Sequence, residues 1–409
     1  MKDRRYFFSG VFTVGLSSVF SLLIPLITIP YLVKTVGLSN YGLSVIVFSI
    51  CMTLSIIIDF GFNITGLNRI AKDAGKKGVV KTIISITACK LFLFSIILAI
   101  LSLTFFLIQD IRNYQELFLW SLIVPFSSIF NFNWALQGLE KLKELAIITL
   151  LSKVIYLGGV FGLIFEPDDY VYINAIFGTG TVVSGFFAAS ILLKGLPINV
   201  KGVFQKSSII KELKSSYHYF ISNLSIHLCS IMFPAIVGLF TSSEMAGVYS
   251  IVEKVYNFSR AVFSIYQTIM LPRISKLVES AIPSAIKALK NTYVFAIIFV
   301  VLEATAIVAF NHQIVLYFTS EYVELAKDLL LMSVIGLFFV AVNCPFYMLL
   351  IALDMKAKIM NTFFVLSLFT ILCCCCLVYL FGVFGALLTL ITTEALYSAI
   401  IIIIWKTRK

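Results

Sequence analysis

Long apolar runs separated by short polar segments cover the chain almost from end to end. A helix needs about 20 mostly apolar residues to cross the hydrocarbon core of a bilayer. On that rule the pattern predicts about 12 spans, at roughly 10–34, 41–62, 82–108, 116–138, 144–165, 171–193, 217–240, 247–272, 291–318, 328–352, 358–381 and 384–405. No strand-like alternation competes with this reading. The expected fold class is an all-α integral membrane protein.

Basic residues in the polar segments orient the spans. With the first residues on the cytoplasmic side, the inside segments hold Lys2, Arg4, Arg5, then Arg69, Lys72, Lys76, Lys77, Lys81, then Lys141 and Lys143. Further along they hold Lys194, Lys201, Lys206, Lys211, Lys214, then Arg273, Lys276, Lys287, Lys290, then Lys356, Lys358, Lys406, Arg408 and Lys409. The outside loops hold only Lys34, Arg112 and Lys327 and are short and acidic, as in "EPDD" at 166–169. Both termini are therefore expected in the cytoplasm. The basic start "MKDRRYFF" leads into an apolar run too long for a signal-peptide core, which reads as an uncleaved first span.

The chain also repeats itself. "PYLVKTVGLSNYG" at 30–42 is echoed by "PAIVGLFTSSEMAG" at 234–247, and Arg69-Ile70-Ala71-Lys72 by Arg273-Ile274-Ser275-Lys276. The spacing is half the chain, which gives six spans per half and a parallel repeat. The expected domains are an N-terminal six-helix lobe (1–195), a cytoplasmic linker (196–216) and a C-terminal six-helix lobe (217–409). Pro25, Pro30, Pro125, Pro234 and Pro345 fall inside spans and are candidate bends, although Pro is common in membrane helices in any case.

Composition agrees with the pattern: 60% of the 409 residues are hydrophobic and 12% charged, against about a quarter charged in soluble domains. Mean hydropathy is +1.03 and the pI about 9.2. The basic balance is that of cytoplasmic loops and does not call for nucleic acid. Cys51, Cys89, Cys229, Cys344 and the run Cys373–Cys376 all lie in apolar segments without metal-site spacing, and read as small hydrophobes. His218, His227 and His312 show no metal spacing, and neither a phosphate-binding loop nor a GxSxG element occurs. No cofactor and no enzyme activity are expected.

Charge inside the spans is the informative anomaly, because a charge at mid-membrane depth costs at least about 2.5 kcal/mol. The basic ones are Lys90, Lys153, Lys254 and Arg260; the acidic ones are Asp59, Glu253, Glu303 and Glu394. In 249–267, "YSIVEKVYNFSRAVFSIYQ", helical spacing puts Tyr249, Ser250, Glu253, Tyr256, Asn257, Arg260, Ser264 and Gln267 on one stripe, with Lys254 on its flank. Such a stripe must face protein or water. One reading is structural: Glu253 pairs with Lys254 or Arg260 and locks spans together. The other is a wet, cationic cavity in which Arg260, Lys254, Lys90 and Lys153 bind an anion. The four carboxylates are candidates for proton or cation coupling, Glu253 first. His227 is a lone titratable group inside a span.

Four stretches resemble a known family: "IPYLVKTVGLSNYG" (29–42), "DFGFNITGLNRIAK" (59–72), "NFNWALQGLEKLKELAIIT" (131–149) and "GVYSIVEKVYNFSRAVFSIYQTIMLPRISK" (247–276). They resemble the Wzx-type flippases of O-antigen and polysaccharide repeat units, within the multidrug/oligosaccharidyl-lipid/polysaccharide (MOP) exporter superfamily. The resemblance implies two six-helix bundles working by alternating access in the bacterial inner membrane. It implies an undecaprenyl-diphosphate-linked oligosaccharide as substrate, with membrane lipids, a polysaccharide polymerase and chain-length proteins as partners, and coupling to protons or sodium. On that reading the cations neutralise the diphosphate, while Tyr249, Tyr256 and Trp134 stack on sugars or pack in the core. The alternatives are a drug, cation or lipid II exporter of the same superfamily, and a membrane enzyme of polysaccharide assembly. Arg260→Ala is expected to stop transport without loss of folded protein.

Overall fold

The computed structural model describes residues 2–72, 75–108, 110–194, 206–280, 282–353 and 355–406. Helix dominates them, and no strand occurs among the described residues. In chain order the helices are α1 (Lys2–Val36), α2 (Leu38–Asp59), α3 (Phe62–Lys72), α4 (Lys76–Leu107), α5 (Gln115–Ser121), α6 (Ile123–Ser127), α7 (Asn133–Gly138), α8 (Leu142–Leu163), α9 (Ile173–Leu193) and α10 (Lys206–Ile231). Then come α11 (Phe233–Phe240), α12 (Ser243–Ser280), α13 (Ile282–Phe318), α14 (Val323–Ala352), α15 (Lys356–Phe381) and α16 (Val383–Lys406).

Each predicted span falls largely on helix. Among the described residues, nine helical segments are long and apolar enough to cross a membrane, and Phe20–Val36 is a shorter apolar stretch. The segments at 217–240 and 247–272 are helical but lie outside that set. The first is interrupted between Ile231 and Phe233, where Pro234 cannot continue the helix's hydrogen bonds. The second carries the charges of α12.

Two compact units are found. The first comprises Met1–Thr28, Thr35–Asn40 and Ser44–Met232; the second comprises Ile29–Lys34, Tyr41–Leu43 and Phe233–Lys409. This division differs from the expected one at the linker. Residues 195–205 lie outside the described residues, but from Lys206 onward the segment is already helix, and all of α10 sits in the first unit. The reason is local. The Arg69 guanidinium on α3 grips the Glu212 carboxylate on α10 with two hydrogen bonds of 2.7 and 2.8 Å. Thr65 and Ser216 bond at 2.8 Å, and the Phe60 and Phe220 rings stack at 4.3 Å.

Within the first unit the core gathers Phe62, Ile70, Ile83, Ile86, Phe132, Trp134, Leu136 and Leu192. Gly66 makes it possible: a Cβ there would stand 2.5 Å from the Trp134 ring. Two breaks interrupt the unit's helices. The first follows Asp59, where Phe60 (φ 44°) and Gly61 (φ 75°) adopt left-handed backbone and separate α2 from α3. The second lies in 115–138. Pro125 has no N–H to give to the carbonyl four residues earlier, and α5 ends at that residue, Ser121. A short 3-10 turn, Ser128–Phe130, and extended Asn131 follow. On α9, Gly178 and Gly185 let this irregular backbone come close, at Ile123 and Phe130 respectively.

The second unit is more regular. Helix α14 is its centre, packed on α12, α13 and α16, and it runs unbroken through Pro345. Leu329, Leu337, Ala341, Cys344 and Met348 of α14 are wholly buried. Helices beginning at Leu38, Lys76, Leu142 and Ile173 have counterparts beginning at Ser243, Ile282, Lys356 and Val383, about half the chain later. The counterpart of the broken α2–α3 pair, α12, is one continuous helix.

Candidate functional site

In the first unit the charged site forms at the two breaks. Lys90, on α4, is 1% exposed. Its Nζ lies 2.9 Å from Asp59 Oδ1 at the end of α2 and donates a 3.1 Å hydrogen bond to the Ser128 carbonyl in the irregular segment. One ammonium thus answers both the carboxylate at the first break and a backbone acceptor at the second. That is the form in which a buried cation is tolerated: paired with a carboxylate, with a further donor given to a carbonyl. His227 on α10 lies within electrostatic reach of Asp59.

Lys153, on α8, is different. Its Nζ stands 4.9 Å from the centre of the Phe177 ring. Phe177 is met edge-on by Phe48 at 5.1 Å and Tyr156 at 5.7 Å. Among the described residues no carboxylate lies within 4 Å of Lys153. A cation over an aromatic face is attracted by the ring quadrupole, which offsets part of the cost of leaving water.

In the second unit α12 supplies the charged stripe. Glu253 is buried; Lys254 Nζ lies 3.3 Å from its Oε2, and Asn257 Nδ2 donates to its Oε1 at 3.3 Å. One turn on, Arg260 Nη1 lies 3.1 Å from Glu394 Oε1 of α16, and Asn343 Nδ2 of α14 donates to Glu394 Oε2 at 3.2 Å. The Glu394 side chain is 8% exposed and that of Arg260 49%. Tyr249 and Tyr256 are each 1% exposed, so the second packs inside rather than presenting a ring, as does the first. Gly336 leaves room for the Tyr256 ring, 3.1 Å from where a Cβ would be. Trp134, in the first unit, is likewise enclosed, at 3%. Gln267 lies further along α12, half-buried and within hydrogen-bonding reach of Cys344. Glu303 of α13 has no basic partner among the described residues.

The residues singled out in the sequence thus sort into pairs. Lys90 goes with Asp59, Lys254 with Glu253, and Arg260 with Glu394 rather than Glu253. Lys153 and Glu303 are left over. Sequence reasoning missed Asn343, the Ser128 carbonyl and the Arg69–Glu212 clasp. Asn343 was findable as a lone amide in the apolar run "FFVAVNCPFYM"; the carbonyl has no sequence signal beyond Pro125 three residues before it.

Residues 7–278 match the family described as polysaccharide biosynthesis protein. The chain belongs to that family. The resemblance drawn from the four sequence stretches is borne out. Among the relatives of this chain is a protein of Escherichia coli (strain K12), provisionally named an O-antigen transporter. It is 23% identical over 390 residues, covering 95% of this chain and 94% of its own. A protein of Shigella dysenteriae with the same provisional name is 22% identical over 383 residues, covering 91% and 93%. Among solved structures, the lipid II flippase MurJ in an inward closed conformation has a TM-score of 0.72 at 16% identity, over 96% of this chain and 87% of its own. An inward-facing multidrug resistance MATE family transporter of the MOP superfamily has a TM-score of 0.69 at 15% identity, over 96% of each chain. The fold is that of the MOP superfamily transporters, and the protein is a multi-pass membrane protein.

Proposed function

We propose that this member of the polysaccharide biosynthesis family is a flippase, not an enzyme. It carries an undecaprenyl-diphosphate-linked oligosaccharide, an O-antigen or capsule repeat unit, from the cytoplasmic to the periplasmic leaflet of the bacterial inner membrane. It works by alternating access between two lobes, with both termini in the cytoplasm, and hands its product to a polymerase and chain-length proteins. Two relatives that cover nearly the whole chain carry the O-antigen transporter name, and one structural neighbour is named a lipid II flippase.

The observation that carries the reading is Arg260. A half-exposed guanidinium in a membrane helix must meet water or an anion rather than lipid. Its planar fork suits a diphosphate. On the same helix, Lys254, about a third exposed, adds a point charge. Lys90 is enclosed by Asp59 and the Ser128 carbonyl and is assigned to the frame.

The test is made in a strain lacking the gene, by extracting polyprenyl-diphosphate lipids and locating them by leaflet. The expected result is a complete, unpolymerised repeat unit accumulating on the cytoplasmic leaflet, relieved by the wild-type gene. Single units that reach the periplasmic leaflet unpolymerised would return the enzyme reading, and no lipid change at all would favour drug export.

A further inference from the structure

Of the four carboxylates inside the spans, three have a basic partner: Asp59 at 2.9 Å, Glu253 at 3.3 Å and Glu394 at 3.1 Å. Glu303 has none among the described residues, and its Oε2 is buried without a hydrogen-bond partner. It lies on the same face of α13 as Ala296, Val300 and Ile307, which are 0%, 0% and 5% exposed. Across from it, the buried Ser259 of α12 brings its hydroxyl within hydrogen-bonding reach.

The charges on the helices packed against α13 are taken or distant. On α12, Glu253 and Lys254 pair with each other and Arg260 with Glu394, while Glu244, Arg273, Lys276 and Glu279 stand toward the helix ends. On α14 the charged residues are Glu324, Lys327 and Asp328, all in the first two turns, with Glu324 and Lys327 paired at 2.8 Å. On α13 itself, Lys287, Lys290 and His312 are each more than two turns from Glu303.

An ionised carboxylate in that place would keep one oxygen without a donor and its charge without a counter-charge. A neutral carboxyl has only one hydroxyl to place, and the Ser259 oxygen can accept it. A hard metal cation would want a full shell of oxygens, and among the described residues no group of three or more His, Cys, Asp or Glu side chains is placed to hold one.

Resting on the flippase reading above, we infer that Glu303 is the residue that takes up and releases the coupling proton. Its O–H bond forms with a proton from water on the side of higher proton activity. The bond breaks when the carboxyl meets water on the other side, to which the proton passes. Glu253, the first candidate from sequence alone, is already satisfied as an anion by Lys254 and Asn257.

The full-length protein is purified into lipid nanodiscs, and the infrared carbonyl band of protonated carboxyl groups is followed as pH is raised. A titrating band is expected in the wild type, lost in Glu303→Gln and retained in Glu303→Asp and Glu253→Gln. Gln is nearly isosteric with the neutral acid, so Glu303→Gln should melt at the wild-type temperature and fail to clear the accumulated lipid in cells. A band unchanged in Glu303→Gln overturns the assignment. So does a band displaced by sodium chloride at constant pH, which would mean a sodium site. If the deletion strain accumulates the lipid and Glu303→Gln clears it fully, the proton assignment fails and the flippase reading stands. If the deletion strain accumulates nothing while the band is still lost in Glu303→Gln, the flippase reading fails and the proton site stands.

Discussion

At the residue scale the governing fact is that most of the intramembrane charges come in pairs: Lys90 with Asp59, Lys254 with Glu253 and Arg260 with Glu394. Removing one partner is therefore worse than removing both. Lys90→Met would leave Asp59, whose side chain is 13% exposed, without its counter-charge. Breaking a buried pair in this way costs about 3–5 kcal/mol, whereas replacing both members by neutral groups of similar size is often close to neutral. The double variant Asp59→Asn/Lys90→Met is expected to recover most of the thermal stability lost by Lys90→Met alone, measured as the melting midpoint of the purified protein. Equal losses in the single and double variants would mean that Lys90 matters mainly through its bond to the Ser128 carbonyl. The sequence showed that Lys90 and Asp59 are anomalous, because each interrupts an apolar run. It did not show that they meet. Their contact depends on how α2 ends and on how α4 lies against it, neither of which is encoded within either run.

At the scale of elements, the helices were legible because length and hydropathy alone decide a membrane span. Their interruptions were less so. Pro125 and Pro234 do coincide with breaks, since a missing N–H acts whatever the surroundings. Pro345 does not, because α14 runs through it. The break after Asp59 has no proline and depends on Gly61, at φ 75°, and on Phe60 in the same left-handed region. A Cβ on Gly61 would stand 2.7 Å from the Phe220 backbone nitrogen, so α10 closes off the space as well. Gly37 has a similar φ of 82° but nothing within 4 Å of the added atom. Gly37, at φ 82° and ψ 158°, sits in a backbone region essentially restricted to glycine, so Gly37→Ala should cost that backbone penalty alone, about 1–3 kcal/mol, and Gly61→Ala a steric clash in addition to its own. Thermal denaturation of the two variants side by side checks this; a Gly61→Ala protein that melts with Gly37→Ala would show that α10 yields to the extra atom.

At the scale of the whole molecule, the proposed transport role and the folding of the second unit fall on the same charges, and an experiment must separate them. From sequence alone Arg260→Ala is expected to stop transport and leave the folded protein intact. The ion pair changes that expectation. Glu394 is 8% exposed and has Arg260 at 3.1 Å, with Asn343 on its other oxygen at 3.2 Å. Without the guanidinium its charge loses its counter-ion, so Arg260→Ala should lower the amount of folded protein as well as transport. Adding Glu394→Gln removes the orphaned charge while keeping an acceptor for Asn343. The double variant is expected to return to near wild-type abundance in the membrane, yet still fail to clear the cytoplasmic-leaflet lipid. Arg260→Lys keeps the pair but loses the fork, and should give normal abundance with reduced transport. A double variant that recovers both abundance and transport would mean that Arg260 serves only to hold α12 against α16, and that the anion is met by other groups.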